Sequence, residues 1–192
     1  QAVSRGLGDV YKRQNLCDLS VRALDQIIDY QDYPVKAAEV STKRRRSLGI
    51  GYIGLAHYLA KNGVKYSDPK AWELVDRLTE AFQYNLLRAS CDLAEEKGKC
   101  EYFDRTKYAD GQLPIDHYKK EIDEIVPHKQ RMAWESLRKD IAKHGLRHST
   151  LSAQMPSESS SVVSNETNGI EPPRALLSVS YTHLRAHETL LD

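Results

Sequence analysis

Long apolar runs are missing from this chain. No window approaches the roughly 18 consecutive apolar residues of a membrane-spanning helix, and the N-terminus lacks the apolar run of a signal peptide. A membrane role is therefore not expected, and the cytoplasm is the default location. Cysteine is scarce as well: Cys17, Cys91 and Cys100 are the only three. They form no C-x-x-C pair, and the odd count fits reduced thiols better than a disulfide framework or a zinc site. Charge of one sign is also lacking. The 28 basic and 27 acidic residues leave a formal charge of +1, too little for a broad polyanion-binding field, so nucleic acid is not an expected partner.

What remains is a 192-residue chain that is 40% hydrophobic and 29% charged, enough for one domain with a real core. The two ends differ from the middle. Residues 1–14, QAVSRGLGDVYKRQ, and residues 179–192, VSYTHLRAHETLLD, show no clean helical or strand period. They resemble translated sequencing-adapter read-through, which leaves 15–178 as the expected domain.

Within that domain the period is mostly helical. Leu16, Leu19, Ala23, Ile27 and Ile28 fall at three- and four-residue steps and predict a helix running to about Gln31, stopped by Pro34. A longer helix is predicted from Ser67-Asp68-Pro69, where Ser67 or Asp68 can cap and Pro69 suits the first turn. Its apolar stripe is Trp72, Val75, Leu78, Phe82, Leu86 and Leu93, and Gly98 supplies the stop. Shorter helices are expected at about 116–126 and 131–144, the second closed by Gly145. Residues 149–155 read as a short buried strand through Thr150, Leu151 and Ala153, followed at once by Pro156.

Three places could carry chemistry, and a basic run stands beside them. Gly49-Ile50-Gly51-Tyr52-Ile53-Gly54 matches G-x-G-x-x-G and leads into an amphipathic helix through Leu55, Tyr58 and Leu59. A dinucleotide loop needs a buried strand immediately before that turn. Ser41 to Leu48 is too polar to be one, so tight packing is the plainer reading and a helical nucleotide-binding module the alternative. Cys17 is a thiol on the first predicted helix, where a free cysteine usually acts as a small hydrophobe. Lys43-Arg44-Arg45-Arg46 reads as a solvated, mobile stretch, with a non-enzymatic interaction domain as its functional alternative. The third place is Pro156-Ser157-Glu158-Ser159-Ser160-Ser161. At the start of a helix continuing through Val162 and Val163, its free amides and hydroxyls would suit a phosphate. Glu158 opposes that reading unless it faces a ribose hydroxyl, a metal or an amide, and an ordinary capped loop is the bland alternative.

Longer motifs decide between these readings. Met155 to Ser161, followed by Ser164-Asn165-Glu166-Thr167-Asn168-Gly169-Ile170-Glu171-Pro172-Pro173-Arg174, closely resembles the substrate loop of class I ribonucleoside-diphosphate reductase large subunits. Trp134-x-x-Leu137, then Gly145-Leu146-Arg147-His148, Ser152 and Pro156, resembles that family's signature. Val21-Arg22-Ala23-Leu24-Asp25, Asp29 to Pro34, and Arg45 to Gly51 follow in family order, so the resemblance covers about 15–178.

The resemblance implies an α/β fold, this chain being a mainly helical piece of a ten-stranded α/β barrel. It implies an oxidoreductase that turns ribonucleoside diphosphates into deoxyribonucleotides for DNA synthesis. A thiyl radical removes the ribose 3′ hydrogen, and two further cysteines supply the electrons that replace the 2′ hydroxyl. It also implies a homodimer of large subunits, a small subunit that holds the metal and radical cofactor, thioredoxin or glutaredoxin as reductant, and ATP and deoxynucleotides as effectors. No cofactor is assigned to this chain itself. By motif position Glu158, Ser159 and Ser160 hold the substrate diphosphate, with Ser157 and Ser161 as supporting neighbours. Cys17 is not the radical cysteine: the family's Asn-x-Cys-x-Glu motif needs Glu where Leu19 stands, and lies well upstream of the Val21 to Asp25 stretch. The chain alone is therefore expected to show no turnover, and, as part of a barrel, to fold marginally.

Overall fold

Amphipathic helices bury one stripe each, and here two 29-residue helices do so against each other. The computed structural model describes residues 2–125 and 129–173, with side chains from residue 12 onward. Helix α1 spans Ala2–Tyr30, α2 Lys36–Arg45, α3 Leu55–Lys61 and α4 Pro69–Lys97. Three 3-10 turns follow at Phe103–Arg105, Pro114–Asp116 and Lys120–Glu124, then α5 at Trp134–His144 and α6 at Glu158–Ser164. α1 lies along α4, and α4 also carries α5.

The main core joins Cys17 and Val21 of α1, Leu86, Leu87 and Leu93 of α4, Leu137 and Ile141 of α5, and Leu146 and Leu151 beyond it. Each fully buried leucine contributes about 1.5–3 kcal/mol of transfer free energy. A smaller cluster of Leu55, Leu59 and Ala71, ringed by Tyr52, Tyr58 and Val75, seats α3 on the start of α4.

The helix ends follow local chemistry. Gly98 stops α4 at the expected place and donates its N–H to the Ala94 carbonyl at 2.8 Å, but with φ 88° and ψ 152° it is extended at positive φ and not in the expected left-handed helical conformation. Pro69 opens the helix, but the Asp68 carboxylate does not cap it; it accepts the Lys65 N–H at 2.7 Å instead. Gly145 closes α5, with φ 75°.

Several expectations change. The buried face of α1 is Cys17, Val21, Asp25 and Ile28, whereas Leu16, Leu19 and Ile27 are at least half exposed and Ala23 is exposed. A carboxylate within the buried stripe turned the apolar pattern toward the wrong face. On α4 Leu86 and Leu93 are buried, Val75, Leu78 and Phe82 are half-buried, and Trp72 lies on the surface. The helix expected at 116–126 is instead 3-10 turns around Pro114 and Lys120, and residue 126 lies outside the described residues. α2 was not foreseen, because it buries no side chain and so carries no apolar period. It takes up most of the basic run, which is helical rather than loose.

No strand longer than a single bridge occurs among the described residues, and the fold is mainly helical. Residues 149–153 run extended beside 48–50 through a parallel bridge between Ile50 and Ser152. Leu48 donates to the Thr150 carbonyl, Ile50 to Leu151, and Ala153 back to Ile50, at 2.9 to 3.0 Å.

Candidate functional site

Pro156 to Ser161 emerges from that extended segment onto the surface. Ser157 precedes α6 and donates its N–H to the Asn168 carbonyl at 2.7 Å. Ser161 is buried; its hydroxyl donates to the Glu158 carbonyl at 2.8 Å, and its own carbonyl accepts the Glu166 N–H at 2.9 Å. Ser164 returns its hydroxyl to the Ser160 carbonyl at 2.7 Å. Asn165 then ends the helix in the left-handed region, with φ 53°.

The five residues thus divide. Ser157 is tied through its backbone and Ser161 through both backbone and hydroxyl, whereas the side chains of Glu158, Ser159 and Ser160 are exposed in the first turn. Val162 and Val163 belong to α6 but stand 81% and 90% exposed, so α6 is held by its ends and not by an apolar face. At seven residues its dipole is short, and the hydroxyls and first-turn amides are the groups it can offer an anion.

Cavities of about 610, 490 and 380 Å³ lie elsewhere, and none is lined by Ser157 to Ser161. The first is an apolar space between Tyr52, Leu55, Trp72, Ile115, Tyr118 and Trp134. Among the described residues no three His, Cys, Asp or Glu side chains converge as metal ligands.

The other candidates find structural places. Cys17, Cys91 and Cys100 are free and buried, and burial pushes the thiols of Cys17 and Cys91 up to about 11. Such thiols are protonated and sheltered at neutral pH, the opposite of reactive ones. Arg44 pairs with Glu101 and Lys43 with Glu39, while Arg45 lies over the Tyr102 ring. The polypeptide before Gly49 is α2 and its cap, which rules out the buried strand that a dinucleotide turn requires.

Arg46, the last member of the basic run, is 5% exposed and corrects the solvated reading. Its Nε donates to Asp25 at 2.7 Å, and its Nη atoms reach both Asp29 oxygens at 2.8 Å. Asp25 and His148 are fully buried. Asp25 also meets Arg147 Nε and His148 Nε2, each at 3.2 Å, and His148 Nδ1 lies 2.9 Å from Ser90 Oγ. Burial pushes the Asp25 pKa up, but hydrogen bonds from His148 and Arg46 and the nearby guanidinium charges outweigh it, so the carboxyl titrates well below the usual range. Burial holds His148 below its ordinary value, against the opposing pull of Asp25. Nothing in the apolar period marks this hub. The available signal was Asp25 and Asp29 one helical turn apart, placed to fork a single arginine.

Glu80 is a second buried carboxylate the sequence reading passed over. It accepts the Arg131 N–H at 2.7 Å, the Trp134 indole N–H at 3.0 Å and the Met132 N–H at 3.1 Å. These bonds and Arg131 overcome the effect of burial and lower its pKa.

Comparison with known proteins adds the family. The model for the ribonucleotide reductase barrel domain matches residues 4–185. The ribonucleoside-diphosphate reductase subunit alpha of Buchnera aphidicola subsp. Baizongia pistaciae is 59% identical over 162 residues, 84% of this chain and 21% of that protein. Its Haemophilus influenzae counterpart is 60% identical over 160 residues, covering 83% and 21%. The subunit alpha of Enterobacteria phage T4 is 50% identical over 171 residues, covering 89% and 22%. The chain spans about a fifth of the length of these curated relatives.

Proposed function

The chain belongs to the ribonucleotide reductase barrel-domain family, and from that premise we propose that it is the part of a catalytic large subunit that holds the substrate diphosphate. The observation that carries this reading is the division within the loop: Ser157 and Ser161 are tied down while the side chains of Glu158, Ser159 and Ser160 are exposed. The hydroxyls of Ser159 and Ser160 and the first-turn amides would donate to phosphate oxygens. Glu158 would turn its carboxylate toward a ribose hydroxyl or a neighbouring amide.

Reduction of ribonucleoside diphosphates by thiyl-radical chemistry then belongs to the whole subunit. The radical cysteine and the reducing pair would lie in its other parts, since the three thiols here are sheltered in the core. The extended pair 48–50 and 149–153 would be adjacent strands of a ten-stranded barrel. The parent would form a large-subunit homodimer in the cytoplasm, take its radical from a metal-bearing small subunit, draw electrons from thioredoxin or glutaredoxin, and answer to ATP and deoxynucleotides. Residues 15–178 would be the reductase portion, with 1–14 and 179–192 as adapter-like ends.

Calorimetric titration of the 192-residue chain with ADP tests the loop. Ser159→Ala with Ser160→Ala is expected to weaken binding about tenfold, the worth of one or two charge-assisted hydrogen bonds. Unchanged affinity in that double variant defeats the assignment. The chain alone is expected to reduce no ADP, because positioning without a thiyl donor leaves the carbon–hydrogen bond intact.

A further inference from the structure

The glycine run faces both flanks of the serine loop. On the incoming side, Gly49 lies against Ala153 and Met155, and a Cβ on Gly51 would fall on the Ala153 carbonyl oxygen. On the outgoing side, Gly54 has φ 77°, donates its N–H to the Thr167 carbonyl at 2.9 Å, and leaves room for the Glu166 carboxylate, which a Cβ would meet at 2.8 Å. One turn into α3, His57 Nδ1 sits 2.7 and 2.8 Å from the two Glu166 oxygens. Glu166 in turn donates its N–H to Ser161, and Asn168, two residues on, accepts from Ser157. A chain of contacts therefore runs from α3 through 166–168 to both ends of the exposed Glu158 to Ser160 turn.

We propose that the Gly49 to Gly54 turn and His57 form the seat of the diphosphate loop, with His57 a positioning residue that acts through Glu166. This rests on the reading of the loop as diphosphate-binding. The glycines do here what a phosphate turn does elsewhere, permitting close backbone approach, but what approaches is the protein's own loop. α6 buries little apolar surface, so the fixed position of its first turn depends on these polar ties. His57 and Glu166 are partly exposed, so their removal is expected to loosen the loop without opening the core.

The test uses the 192-residue chain with two readouts. Hydrogen exchange without ligand follows the amides of Ser157, Ser161 and Glu166 against those of α4, and calorimetry follows ADP. In His57→Ala, exchange at the three loop amides is expected to rise about tenfold and ADP affinity to fall about tenfold, with α4 unchanged. His57→Asn keeps a donor near the Nδ1 position and is expected to restore both. Unchanged loop exchange in His57→Ala overturns the seat. Raised exchange with unchanged ADP affinity overturns its role in substrate binding. If the unsubstituted chain binds no ADP, or the Ser159 and Ser160 double variant binds it normally, the diphosphate reading falls and takes the substrate role of His57 with it; the exchange result then decides whether His57 seats the loop at all.

Discussion

The Asp25 hub and the Pro156 to Ser161 loop are held in opposite ways. At the hub, one buried carboxylate meets Arg46, Arg147 and His148, joining α1, the cap of α2 and the chain beyond α5. At the loop, three polar side chains face solvent and the surrounding bonds fix only the ends. Asp25, Arg46 and His148 have lost their water there, so a missing partner among them is costly. The loop keeps its water at Glu158, Ser159 and Ser160, as the proposed diphosphate role requires. Buried polar ties are concentrated where the chain crosses the core, and exposed hydroxyls where it leaves it.

The largest expected loss comes from removing the anion of the hub. Asp25→Ala leaves Arg46 and His148 buried without it and is expected to cost about 3–5 kcal/mol, read from urea unfolding followed by circular dichroism. A loss within about 0.5 kcal/mol would mean that the hub is wet and the contrast with the loop false.

Acid should separate the two regions next. Asp25 and His148 both titrate lower in the folded chain than their ordinary values of 3.8 and 6.5. Stability from each is therefore complete above its ordinary value and lost as pH falls toward its folded one. Melting temperature is expected to decline gently below about pH 6.5 and steeply below about pH 4, and Asp25→Asn should flatten the steep limb. An equally steep limb in that variant would assign acid lability to other carboxylates, Glu80 first among them.

Gly51→Ala strikes between hub and loop, where the new Cβ meets the Ala153 carbonyl. It is expected to cost about 1–3 kcal/mol in the same unfolding assay, because backbone has to move. A neutral result would show that the extended pair yields easily. The smallest effect belongs to the loop itself: Ser159→Ala with Ser160→Ala should change stability by less than about 0.5 kcal/mol while weakening ADP binding. A clear loss of stability would mean that these hydroxyls hold the fold and are not free for a ligand.

Local rules were easy to read. Pro69 and Gly98 bounded α4, Gly145 closed α5, and Leu55 to Leu59 formed the short helix expected after the glycines. Rules failed where a neighbour overrode the local pattern. The stripe from Leu16 to Ile27 had the better apolar period, yet α1 turned Cys17, Val21 and Asp25 inward, because Arg46 and His148 gave the carboxylate partners no apolar scale counts. α2 was invisible for the related reason that it buries nothing.

The sequence by itself determined the bounds of α4, the end of α5, the family and the position of the serine loop, since each is written in contiguous residues whose chemistry acts on near neighbours. Only the tertiary structure decided which face of α1 is inside, that Arg46 is a core residue, and that Gly49 to Gly54 packs against a loop about a hundred residues on. Those outcomes depend on desolvated charges and close backbone contacts between distant segments, and such partners are chosen only when the chain folds.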